Sequence, residues 1–183
     1  MLQPSNPAKM KEDATVYVDK ATILIHSQGP RQEFMNMLKA PDPVKAVSGA
    51  TVIVMQRLDT AMREAGVELD DVVKVVCARY IVSEFVELAA AAKLFNMDTD
   101  HAGLALSMAV QNYIKAEAAA GRINMKQLQV QVQIEMRQMD PKTRKEVMAG
   151  MAKVQQTGRA YKGGLPQQAP PATALTLTGG QDA

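Results

Sequence analysis

The sequence predicts an all-α fold: an irregular helical bundle of about six to seven helices, with an extended N-terminal arm and a disordered C-terminal tail. Three observations carry this. Hydrophobes recur at alternating three- and four-residue spacing along most of the chain, the period of a helix buried on one face. The apolar content is of helical type. There are thirteen Met and much Ala, against no Trp, three Phe and four Tyr, whereas sheet cores lean on aromatic and β-branched residues. Asp42-Pro43 and Asp140-Pro141 mark helix starts, because Asp accepts from the free N–H groups of a first turn and Pro has no N–H to satisfy there.

Taken in order, residues 1–11, with Pro4 and Pro7, read as the extended arm, residues 12–157 as the helical domain and residues 158–183 as the tail. Glu12 to Ser27 forms the first helix, with Val18, Thr22 and Ile25 on one face, although Thr15–Val18 and Ile23–Ile25 also suit a strand. Gly29-Pro30 ends it. A short helix follows from Arg31 to Lys39 with Phe34 and Leu38 inward. After the Asp42 cap a helix runs to about Ala65 and stops at Gly66, with the stripe Val44, Val47, Thr51, Val54, Leu58, Ala61 and Ala65. Asp70 or Asp71 opens the longest helix, to Phe95. Its stripe is Val75, Ala78, Val82, Phe85, Ala89 and Ala92. A second set, Val72, Val76, Tyr80, Leu88 and Phe95, widens the apolar surface and makes this the central helix. The next helix starts at Thr99 or Asp100 and ends at Ala120 before Gly121, with Ala102, Leu106, Ala109, Tyr113 and Ala116 inward.

Residues 124–139 are ambiguous. Leu128, Val130, Val132, Ile134 and Met136 alternate with polar residues, as in a strand, while Met125, Leu128, Val132, Met136 and Met139 form a helical stripe. Their Gln, Met, Lys and Arg content favours helix. A last helix runs from Asp140-Pro141 to about Gln156, with Val147, Met151 and Val154 on one side. From Gly158 onward Gly, Pro, Gln, Ala and Thr dominate, and such a segment buries too little surface to offset its chain entropy.

The 183 residues suit one domain with tails. A net charge of +2 gives no concentrated basic surface, so nucleic-acid contact is at most weak and non-specific. The single Cys77 excludes an internal disulfide. The N-terminus lacks the order of a signal peptide, and no apolar run reaches membrane-spanning length. The longest candidate, Ile81 to Phe95, contains Glu84, Glu87 and Lys93.

Chemical signatures are weak throughout. Asn96–His101 has the one-three-five oxygen spacing of a calcium loop, but the sixth and twelfth places hold His101 and Ser107 where Gly and Glu are needed, so helix capping is the simpler role. Cys77 lies in an apolar helix and His26 at a helix end, a poor pair for nucleophilic catalysis. Gly163-Gly164 is no phosphate loop. A helix-turn-helix across Val86–Val110 would set Asp98 and Asp100 against phosphates, with no Lys or Arg between Lys93 and Lys115. The basic run Lys142, Arg144, Lys145, Lys153, Arg159 and Lys162 reads as a solvated face, with weak contact to nucleic acid or an anionic membrane as the other option. No catalytic, metal or cofactor residue is nominated, and no cofactor is expected. Oligomer or partner packing is assigned to Val75, Ala78, Val82, Phe85, Ala89 and Ala92.

The Ala/Met/Gln-rich helices Val44–Ala65, Asp71–Phe95 and His101–Ala120, followed by the Gly/Pro/Gln tail Gly163–Ala183, resemble in style the small internal, or ejection, proteins of tailed bacteriophage virions. No motif carries the resemblance and no functional residue transfers with it. It implies a non-enzymatic virion subunit, partnered by copies of itself and by other virion proteins. Such a subunit would leave with the genome, assist its delivery across the host envelope and make amphipathic contact with membrane. The alternative is a soluble cytosolic adaptor or regulator that binds a partner helix.

Overall fold

A computed structural model describes residues 7–67, 69, 71–123, 126, 130, 133, 137 and 139–161 of the chain. Among these residues the fold is all-helical, with six helices: α1 (Pro7–His26), α2 (Gln28–Leu38), α3 (Pro43–Glu64), α4 (Asp71–Ala91), α5 (Thr99–Ala119) and α6 (Pro141–Ala160). Lys126, Val130, Gln133 and Arg137, within the ambiguous segment, are helical too, and the stripe residues Met125, Leu128, Val132 and Met136 lie outside the described residues. The predicted tail from residue 162 onward lies outside the described residues.

α4 is central, packing on α1, α3 and α5, while α3 and α5 also pack on each other, but Val76 of the second predicted set is exposed and Val73, Cys77 and Ile81 widen the buried surface instead. Val73, Cys77, Ala78, Ile81, Val82, Phe85, Leu88 and Ala89 of α4 are all buried. The short α2 closes one side against α1 and α3. There Phe34 meets Phe85 edge-on with ring centroids 5.1 Å apart. Arg57 lies over the outer face of the Phe34 ring and donates to both Glu33 oxygens, at 2.7 and 2.8 Å. α6 lies on α5 and contributes no buried residue. Among the described residues, every buried hydrophobic lies between Tyr17 and Tyr113.

Caps set the helix ends. Asp42 accepts from the Lys45 N–H at 3.0 Å, Asp98 from His101 at 2.8 Å, and Asp140 from Lys142 and Thr143 at 3.0 Å. α3 and α5 close on Gly66 and Gly121, whose φ values of 72° and 71° lie in the left-handed region open to glycine. The bonds Val67 N–H to Met62 O (2.9 Å) and Arg122 N–H to Glu117 O (2.8 Å) complete both caps.

Several boundaries differ from expectation. Residues 7–11 are not an extended arm but the first turns of α1, because Pro7 is tolerated at a helix start and Ala8, Lys9, Met10 and Lys11 are good helix formers. Met10 packs against the core. Gly29-Pro30 does not separate the first helices from outside. α1 ends at His26, and Gly29 and Pro30 lie in the first turn of α2, where a missing N–H breaks no helical bond. α4 ends at Ala91 rather than Phe95, because Lys93 takes the left-handed position (φ 57°) and Leu94 N–H bonds Ala89 O at 2.9 Å. α6 continues past Gln156 to Ala160, carrying Gly158 within it. In α3 the buried stripe leaves the predicted register after Leu58: Ala61 and Ala65 are exposed, and Asp59 and Met62 are buried instead.

Candidate functional site

Two carboxylates occupy core positions. Asp59 continues the α3 face of Met55 and Met62, and Glu117 follows Tyr113 by one turn on α5. Each residue is 2% exposed, a location that demands compensation for lost hydration. The packing of α3 beside α5 brings the two acids to the same end of the bundle, with α1 and α4 supplying partners.

Asp59 Oδ2 accepts a short hydrogen bond from the Tyr113 hydroxyl. The Tyr17 hydroxyl from α1 lies 3.5 Å from Asp59 Oδ1 and 3.4 Å from Met55 O. Lys74 from α4 places Nζ 3.6 Å from Asp59 Oδ2 and 2.9 Å from Asp71 Oδ1, tying the first turn of α4 to the same cluster. Glu117 receives Arg122 in a two-pronged contact, Nε at 2.6 Å and Nη2 at 2.7 Å, with Arg63 Nη1 at 3.4 Å. The Gly121 turn returns Arg122 onto the last turn of its own helix, which makes that fork geometrically accessible.

These residues border a cavity of about 320 Å³, lined by Asp59, Arg63, Leu69, Lys74, Glu117 and Arg122 among others. A ligand-sized polar pocket beside titratable groups is the arrangement an enzyme needs. The Arg122 hydrogen bonds hold Glu117 below the usual carboxylate range despite burial. Burial first, then the Asp59 hydrogen bond and charge, push the Tyr113 hydroxyl far above its ordinary value, and burial with the Asp59 charge does the same to Tyr17. Glu117 is thus fixed as an anion and both tyrosines as neutral donors. None of the three is poised near neutral pH, where general acid–base chemistry works best. The arrangement locks three helices and a turn together by paired charge.

A second polar junction ties the residue after α6 to the start of α3. Tyr161, which follows α6, donates its hydroxyl to Asp42 Oδ1 at 2.5 Å, the oxygen that also caps α3. Burial raises the Asp42 pKa, but the bonds from Tyr161 and Lys45 outweigh it and hold the carboxyl below its usual range. The Tyr161 hydroxyl is pushed up to about 12 by burial and by Asp42. Tyr161 also meets the His101 ring edge-on at 5.7 Å. Val154 and Gly158 lie against Gly103 and Leu104, and Lys153 Nζ pairs with Asp100 at 2.6 Å.

Of the residues assigned to packing, Ala78, Val82, Phe85 and Ala89 are buried in this chain's own core, Val75 is half-buried, and Ala92 is exposed beyond the end of α4. The loop at Asn96–His101 is a capping turn in which Asp98 Oδ1 accepts from both the backbone and the ring Nδ1 of His101. The Cys77 thiol is buried, with its sulfur 3.7 Å from Ala14 O, and burial pushes its ionisation up. His26 Nε2 pairs with Glu84 at 2.8 Å, linking the end of α1 to α4. Sequence reasoning missed Asp59, Lys74, Glu117 and Arg122. The signal available was a carboxylate standing in the apolar register of each of two helices. No helix among the described residues is long and apolar enough to cross a membrane. Comparison with family models, with curated proteins and with solved structures finds no match for this chain.

Proposed function

We propose that the chain is a non-enzymatic subunit of a larger assembly built from copies of itself. In the setting its sequence style suggests, it is an internal, ejection-type protein of a phage virion that assists genome delivery across the host envelope. The observation that carries the assembly reading is α6. This twenty-residue helix has no buried residue, and it leaves Met148 and Met151 about half exposed. A helix gains most of its stability from packing an apolar face, and among the described helices α6 packs on α5. A partner along the free face supplies what the monomer lacks. The pinned ionisation states at the cavity support the non-enzymatic half of the reading. The virion setting rests on the sequence resemblance alone.

Light scattering across a concentration series tests the assembly, and mass spectrometry of purified particles tests the setting. A defined multimer together with recovery of the chain from particles is expected. A monomer at every concentration would overturn the assembly, and absence from particles would overturn the setting. The same free face of α6 suits a soluble adaptor that takes a partner helix, and that reading predicts a fixed complex with a different protein and no self-association.

A further inference from the structure

The described surface carries few exposed large hydrophobics, and four of them fall on two helical stripes. On α1, Val16 is 40% and Ile23 70% exposed. On α6, Met148 is 54% and Met151 51% exposed. Each pair belongs to a four-three-four register: Glu12, Val16, Asp19, Ile23 on α1 and Arg144, Met148, Met151, Gln155 on α6. That spacing is the seam of two helices packed along their length. Among the described residues neither apolar pair is buried inside the chain. α1 turns Tyr17, Ala21 and Ile25 inward, and α6 meets α5 through Val154 and Gly158.

The charges flanking the two stripes differ. The α1 stripe has Glu12 and Asp19 on one edge and Lys9 and Lys20 on the other. α6 carries five cations and one acid, Glu146, which helical periodicity places on the side away from the methionines. With the whole chain at +2, all residues outside α6 together carry a net −2. Lys145 and Arg159 flank the methionines on one edge. Packed parallel, face to face, with the methionines level with Val16 and Ile23, Lys145 comes beside the acidic edge of α1 between Glu12 and Asp19, and Arg159 lies past the end of α1. Glu12, Asp19, Lys145 and Arg159 are exposed and form no ion pair among the described residues, so all four are available.

We infer that α6 of one copy docks on α1 of the next, with Met148 and Met151 against Val16 and Ile23. This inference rests on the assembly reading and specifies its contact. The two surfaces are different patches of one molecule, so every copy brings one α1 face and one α6 face to the assembly. Rim charge sets orientation and encounter, and the apolar stripe sets lifetime.

The experiment uses the full chain and two variants, Val16→Ser/Ile23→Ser and Met148→Ser/Met151→Ser, each checked for folding by its helical circular dichroism and melting midpoint. All four sites are at the surface, so both variants retain the wild-type spectrum. The expected result by light scattering is that wild type assembles and each variant alone is monomeric. An equimolar mixture of the variants gives a one-to-one dimer and nothing larger, because each has one intact face. Charge reversal supplies a second reading. Glu12→Lys/Asp19→Lys weakens assembly at least tenfold, and mixing with Lys145→Glu restores pairing. Undiminished assembly of either serine variant, or a mixture that stays monomeric, overturns the inference while leaving self-assembly in place. A wild-type chain that is monomeric throughout removes both.

Discussion

Replacing Glu117 by Gln keeps the side chain's shape and removes one negative charge from a residue 2% exposed. The change weakens two hydrogen bonds from Arg122, at 2.6 and 2.7 Å, and the longer one from Arg63 at 3.4 Å. Breaking a fully buried pair costs about 3–5 kcal/mol, because the remaining charge is stranded away from water. Here the two guanidinium side chains are 43% and 39% exposed and can rehydrate, which lowers the cost. Charge-assisted hydrogen bonds of this kind contribute about 1.5–3 kcal/mol, so the expected loss at pH 7 is about 2 kcal/mol. The sign of the pH dependence follows from the depressed folded-state pKa of Glu117. Its stabilisation is complete above the unfolded-state value and is lost as pH falls through the lower folded-state value. Below that point a protonated Glu and a Gln are nearly isosteric, and the two proteins converge. Urea unfolding of both proteins from neutral to strongly acidic pH measures the difference directly, since all other carboxylates titrate alike in the two. A gap under about 0.5 kcal/mol at pH 7, the range of a surface pair, would refute the structural role. So would a gap that persists unchanged into strong acid.

Phe85→Ala removes a fully buried ring that stacks on Phe34, and the cavity left in the centre of the bundle costs about 3–5 kcal/mol in equilibrium unfolding. Lys93→Gly relieves a left-handed backbone at an exposed site and raises stability by about 1 kcal/mol, read as a higher urea midpoint. Asp42→Ala removes the cap of α3, at about 1 kcal/mol, and the acceptor for Tyr161. Hydrogen exchange in this variant rises over residues 153–161 as well as at Lys45, whereas loss of a cap alone raises it only at the start of α3.

The helical class was legible because it is written in local chemistry. Spacing, caps and the Gly66 and Gly121 stops each depend on a few adjacent residues, and α3 and α5 begin and end within a residue or two of expectation. The errors fall where one local signal can serve two purposes. Proline is read as a terminator, yet Pro7 and Pro30 both lie in first turns, where proline is tolerated. Glycine is read as a tail residue, yet Gly158 is small enough to bring α6 against Leu104. A left-handed Lys93 has no sequence signature at all. The buried cluster was illegible for a different reason. Asp59, Lys74 and Glu117 come together only through the pairing of separate helices, and a charged residue within an apolar stripe is ordinarily assigned to the solvent side.

The bond between Tyr161 and Asp42 spans 119 positions of the chain. Contacts of such separation form late, because a long loop must close before they contribute. Every buried hydrophobic among the described residues precedes α6, so during synthesis the core can consolidate before Pro141 leaves the ribosome. The last helix then meets a finished surface. Docking of the last helix is in this way the closing step of the fold, and the Asp42–Tyr161 bond is the contact that records its completion.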